Sequence, residues 1–72
     1  MLNFSIVDVQ SYLVHYDWDF YYDEIHNIHV ELDKNHYLDQ KILLNECFQN
    51  KATIKYDKIA REMIIFEKSL TK

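Results

Sequence analysis

Not one of the 72 residues is glycine or proline. Glycine supplies positive φ without steric cost, and proline presets the φ of tight turns. A chain with neither has lost the usual residues of two-residue hairpins, where Asn-Gly and Asp-Gly dominate. Gly-rich phosphate loops, nucleophile elbows and dinucleotide fingerprints are excluded, because each needs glycine at a fixed place. Helices joined by short polar loops are the easiest architecture left.

Apolar spacing points the same way. Leu2, Ile6, Val9, Leu13, Tyr16 and Phe20 recur at helical intervals, with Ser5 and Asp8 placed as a capping box. A second stripe, Val14, Trp18, Tyr21, Ile25, Ile28 and Leu32, runs one residue out of phase. Such an offset rotates the apolar face by roughly 100°. Either the chain breaks near residues 17–19, or one long helix spans about Ser5 to Asp33 and is apolar on two faces. From Tyr12 to Tyr22 every even position is apolar, so this segment also fits a strand. Polar breaks at 33–35 and 49–51 bound a helix near Tyr37–Gln49, with Asn35 as its candidate cap. Tyr56, Ile59, Met63, Phe66 and Leu70 then mark a last helix over Thr53–Leu70, with Asp57 and Arg61 as an i, i+4 pair. No internal repeat is evident. The expected fold is therefore all-α, a single small helical domain over 1–72 built as a three- or four-helix bundle. The alternative is α+β, with one or two N-terminal strands packed on two C-terminal helices.

Charge is partitioned along the chain. Residues 1–40 hold eight carboxylates against Lys34 alone, and residues 41–72 hold seven cations against four carboxylates. Six aromatic side chains lie between Tyr12 and Tyr22, interleaved with Asp17 and Asp19. Tyr and Trp bury large areas at low entropic cost and keep a polar handle, and carboxylates among them select a basic partner. A 72-residue domain hides only about 60% of its unfolded surface, so some of these rings should stay available. Tyr16, Asp17, Trp18, Asp19, Tyr22 and Asp23 are the candidate partner-binding residues. The surplus apolar face suggests a homodimer.

Catalytic chemistry has little to stand on. Cys47 sits in an apolar stripe beside Phe48, as a small core residue would. His15 has acidic neighbours but no nucleophile or oxyanion loop beside it. His26, His29 and Asp33 would share one helical face, yet zinc wants three or four ligands from converging elements, so a solvated polar face is the expectation. No cofactor and no metal are expected. Lys51, Lys55, Lys58 and Arg61 crowd the start of the last helix and give the outline of a helix-turn-helix DNA-binding element, although a net charge of -4 opposes phosphate binding. Asp17, Asp19, Asp23, Glu24, Glu31 and Asp33 could instead imitate phosphates, as in an acidic nucleic-acid mimic. A single cysteine, no membrane-length apolar run and no signal-peptide pattern fit a cytoplasmic protein. The function expected is thus non-enzymatic: an inhibitor or adaptor that binds another protein.

Overall fold

The computed structural model describes residues 5–70 and overturns the all-α expectation. Two helices and a four-stranded antiparallel sheet follow in the order α1 (Ile6–His15), β1 (Phe20–Tyr22), β2 (Ile28–Glu31), α2 (Tyr37–Phe48), β3 (Ile54–Asp57) and β4 (Glu62–Ile65), with a 3-10 turn at Glu67–Ser69. The sheet order is β1-β2-β4-β3. The fold is α+β and not a helical bundle, with helices and hairpins alternating.

α1 starts as its sequence indicates. Ser5 Oγ accepts from the Asp8 amide at 3.3 Å, and Asp8 Oδ2 accepts from the Ser5 amide at 2.9 Å. Leu2, the first position of the apolar stripe, lies outside the described residues. The long-helix expectation ends at His15. There the Trp18 amide reaches the Leu13 carbonyl at 2.8 Å and the Asp17 amide reaches Val14 at 3.2 Å. This is a Schellman closure, and Asp17 takes the left-handed position at φ 57° that glycine usually fills. The second stripe is therefore a coincidence that runs through a helix end, a loop and two strands. α2 covers nearly the span expected. Its N-cap is His36 without a side-chain bond, while the Asn35 amide donates to Asp33 Oδ1 instead.

The Thr53–Leu70 helix is replaced by the β3–β4 hairpin. Tyr56 and Met63 are cross-strand partners on the core side, and Ile59 stands at the tip with 95% of its surface exposed. A spacing of seven suits two helical turns, and it equally suits two hairpin residues that face each other across a short loop. Asp57 and Arg61 do not pair on a helix, because none forms.

Both hairpins turn without glycine by the same device. Asp23 Oδ1 accepts from the Ile25 and Asn27 amides at 3.0 and 2.9 Å. Asp57 Oδ1 accepts from the Ile59 and Ala60 amides at 3.0 and 3.1 Å. Each loop then returns through a residue of positive φ, His26 at 65° and Arg61 at 57°. The left-handed region costs an L-residue roughly 1–2 kcal/mol. Changing His26 to Gly should accordingly raise stability by about 0.5–1 kcal/mol, after glycine's greater unfolded-state entropy is subtracted. Urea unfolding measures this, and a loss of stability would contradict the strain assignment.

The chain builds the unit αββ twice. Val9 and Leu13 of α1 correspond to Leu44 and Phe48 of α2. Tyr22-Asp23-Glu24-Ile25 at the first tip corresponds to Tyr56-Asp57-Lys58-Ile59 at the second. Equivalent positions are separated by 34 or 35 residues. The two hairpins join antiparallel through β2 and β4, and the central pair His29↔Ile64 consists of equivalents. The pairs Ile28↔Ile65 and Val30↔Met63 exchange under the same local two-fold.

Side-chain alternation gives the sheet two different faces. Ile28, Val30, Met63 and Ile65 turn toward the helices and pack with Val9, Leu13, Leu44 and Phe48, all at most 1% exposed. Both helices therefore cover one face. The other face carries Tyr21, His29, Glu31, Lys55, Asp57, Glu62 and Ile64. Among the described residues no helix is long and apolar enough to cross a membrane.

Candidate functional site

Two constellations concentrate polar and aromatic chemistry. The first lies on the uncovered sheet face, where the halves of the repeat diverge: Tyr21 and His29 stand where the second half has Lys55 and Ile64. His29 is clamped between two carboxylates. Its Nε2 lies 2.8 Å from Asp23 Oδ2 and its Nδ1 lies 3.0 Å from Glu62 Oε1. The Tyr21 ring stacks on the imidazole at 4.8 Å, and its hydroxyl donates to Glu62 Oε2 at 2.6 Å.

Ionised carboxylates accept only, so the clamp favours the imidazolium, in which both ring nitrogens donate. Burial opposes that charge, but the hydrogen bonds to Asp23 and Glu62 outweigh it and raise the His29 pKa above 6.5. The bond from His29, joined by the Asn27 and Ile25 amides, holds the Asp23 carboxyl below its ordinary range. The bond to Glu62 pushes the Tyr21 hydroxyl up to about 12. Glu62 is only 7% exposed, so the clamp keeps a buried charge compensated. Neither imidazole nitrogen is free to accept a proton from a substrate or to ligate a metal. His26 sits in the hairpin loop and Asp33 beyond β2, so the three residues expected on one helical face are separated by the hairpin. Among the described residues no group of three or more His, Cys, Asp or Glu side chains is arranged to hold a metal ion.

The second constellation lies where the end of α1 meets α2. Tyr12, Tyr16, Trp18, Leu43 and Cys47, with Asp17 and Gln40, line an open groove of about 580 Å³ between the helices. Asp17, Trp18 and Gln40 also line an adjoining polar pocket of about 430 Å³, together with Asp19, Glu31, Leu32 and Asp33. One wall is aromatic and apolar, and the other carries four carboxylates. Trp18 belongs to both.

Local bonds fix this geometry. The Schellman closure swings Trp18 back over Leu13. The Glu31 amide bonds the Asp19 carbonyl at 2.8 Å, and the Asp33 amide bonds Gln40 Oε1 at 2.6 Å. The Asn35 amide and the His36 side chain keep Asp33 below its ordinary carboxylate range, so it stays ionised. Tyr12 stacks edge-on against Phe48 at 5.3 Å and accepts from Cys47 Sγ at 3.2 Å. Burial, then this bond, pushes the Tyr12 hydroxyl up to about 12.

Of the six sequence candidates, Tyr16, Asp17, Trp18 and Asp19 gather here. Tyr22 does not line the groove; it faces the helix layer from β1, where the Gln10 side-chain amide donates to its hydroxyl. Asp23 is committed to the clamp. Glu31, Asp33, Gln40 and Leu43 complete the site from β2, the following turn and α2, and no local motif marks them. The four basic candidates do not share one helix. Lys51 follows α2, Lys55 lies on the uncovered sheet face, and Lys58 and Arg61 lie in the β3–β4 loop. The helix-turn-helix outline is not formed. Comparison of the chain with protein-family models, curated proteins and solved structures finds no match, so the chemistry of the site itself is the guide to function.

Proposed function

We propose that this is a small non-enzymatic binding protein, an inhibitor or adaptor. On this reading, the groove between α1 and α2 takes a segment of a partner protein in which an apolar side chain adjoins Arg or Lys. The observation that carries the reading is the shared wall: Trp18 lines an apolar groove and a pocket of four carboxylates at once. An apolar anchor would fill the groove beside Tyr16 and Leu43, while a cation would enter among Asp17, Asp19, Glu31 and Asp33. Aromatic anchors supply affinity, and the charges supply selection and encounter rate.

Trp18 is the only tryptophan, so its fluorescence reports occupancy. Titration with short peptides pairing Phe or Leu with Arg should give a saturable change, and peptides with Glu in place of Arg should not. Leu43 and Tyr16 are exposed, so Leu43→Ser or Tyr16→Ser should weaken binding about tenfold while the protein stays folded. The double variant Asp17→Asn, Asp19→Asn should weaken binding and flatten its salt dependence. Light scattering at the titration concentration reports whether a second copy occupies the same groove. Equal binding of the Arg and Glu peptides would overturn the reading.

A further inference from the structure

Beside the N-terminal end of α2, one residue on from Asp33, the chain gathers the opposite charge. Lys34, from the turn after β2, Lys58 and Arg61, from the β3–β4 loop, line an open pocket of about 560 Å³ with Tyr37, Tyr56 and Ile59. Lys41 Nζ stands 4.3 Å over the Tyr56 ring beside it. Three of the protein's eight Lys and Arg residues thus line one opening and a fourth stands next to it, in a chain whose net charge is -4.

Among the described residues none of Lys34, Lys58 and Arg61 pairs with a carboxylate. Of the nearby acids, Asp57 Oδ1 receives the two loop amides, and Asp33 receives the Asn35 amide, lies 3.4 Å from His36 Nδ1 and also feels the Arg61 charge. Like charges repel, so bringing three together around an opening, none of them in a close ion pair, makes sense where an anion joins them. The backbone also fixes the Arg61 position, because the Leu32 amide bonds the Arg61 carbonyl at 3.1 Å. The equivalent place in the first half of the repeat has no such charge. Its tip carries Asp23, Glu24 and His26, so the cationic pocket is a feature of one half and not a consequence of hairpin geometry.

We infer that this pocket binds a phosphomonoester carried on a planar or apolar body, a mononucleotide being the simplest member of the class. A dianion answers the three cations, and a guanidinium presents the fork that matches phosphate oxygens. The half-buried rings of Tyr37 and Tyr56 and the exposed Ile59 give the attached body an apolar wall. The pocket adjoins the acidic wall of the groove proposed for a protein partner but shares no lining residue with it, so each reading is tested by its own ligand and variants.

The test is amide-shift mapping of the full chain titrated with adenosine 5′-monophosphate, inorganic phosphate and sodium chloride at matched ionic strength. Saturable shifts at Lys34, Tyr37, Tyr56 and Lys58–Arg61 are expected with the nucleotide, about tenfold tighter than with inorganic phosphate. Arg61→Asn removes the cation while keeping a residue that tolerates positive φ, so the loop persists. It should weaken nucleotide binding about tenfold, as Lys58→Gln should. Equal affinity for nucleotide and phosphate would overturn the role of the tyrosine wall. Shifts that do not saturate, that chloride reproduces, or that survive unchanged in Arg61→Asn with its fold intact, would overturn the site.

Discussion

Replacing His29 with alanine should lower stability by about 3 kcal/mol near pH 5.5, because Glu62 is then left buried without its counter-charge. The loss should depend on pH in a defined way. His29 has a raised pKa in the folded protein, so its contribution is complete below the ordinary value of 6.5 and is lost as pH rises through the raised one. Asp23 has a lowered pKa, so its contribution is complete above the ordinary value of 3.8 and is lost as pH falls through the lowered one. The stability gap between wild type and His29→Ala is therefore widest between about pH 4 and 6.5 and narrows on both sides. Urea unfolding of both proteins at pH 3, 5.5 and 9 measures it. A gap that stays constant with pH would mean that the clamp acts through packing alone.

Phe48→Ala should cost about 3–5 kcal/mol, the range for an aromatic removed from a closed core. Phe48 is 1% exposed and joins α2 to the Tyr12 ring of α1. A domain of this length has roughly 4–11 kcal/mol in total, so the variant should be largely unfolded at elevated temperature. Leu38→Ala, on the exposed side of the same helix, should stay within about 0.5 kcal/mol of wild type. Circular dichroism melts separate the two. A Phe48→Ala protein as stable as Leu38→Ala would contradict the layer arrangement in which both helices cover one sheet face.

The helices and the sheet were not equally legible. Ser5 and Asp8 announce α1, and the polar breaks around Asp33 and Gln49 bracket α2, because caps and helical periodicity are local. The hairpins hid behind two substitutions for glycine. Aspartates at 23 and 57 hold the turns through their side chains, and His26 and Arg61 accept positive φ. The missing glycines therefore indicated helices where the chain in fact turns at a cost in strain. The repeat could have been found: Tyr-Asp-Glu-Ile at residues 22–25 and Tyr-Asp-Lys-Ile at residues 56–59 are the same motif. A one-residue difference between the two loops shifts the separation from 34 to 35, and little identity survives outside the tips. Four of the six site candidates were legible because Tyr16, Asp17, Trp18 and Asp19 are neighbours in sequence. Glu31, Gln40 and Leu43 reach the same place only through the sheet and the helix crossing. The clamp was illegible for the same reason, since Glu62 meets His29 across the β2–β4 pairing.

The central claim is that the seam between α1 and α2, with its shared Trp18 wall, is where this protein meets a partner. Amide-shift mapping with the arginine–phenylalanine peptide tests it most directly. Saturable shifts confined to Tyr12, Tyr16–Asp19, Glu31, Asp33, Gln40, Leu43 and Cys47 are predicted. Saturable shifts centred instead on the uncovered sheet face around Tyr21 and Ile64, or no saturable shift at all, would contradict it.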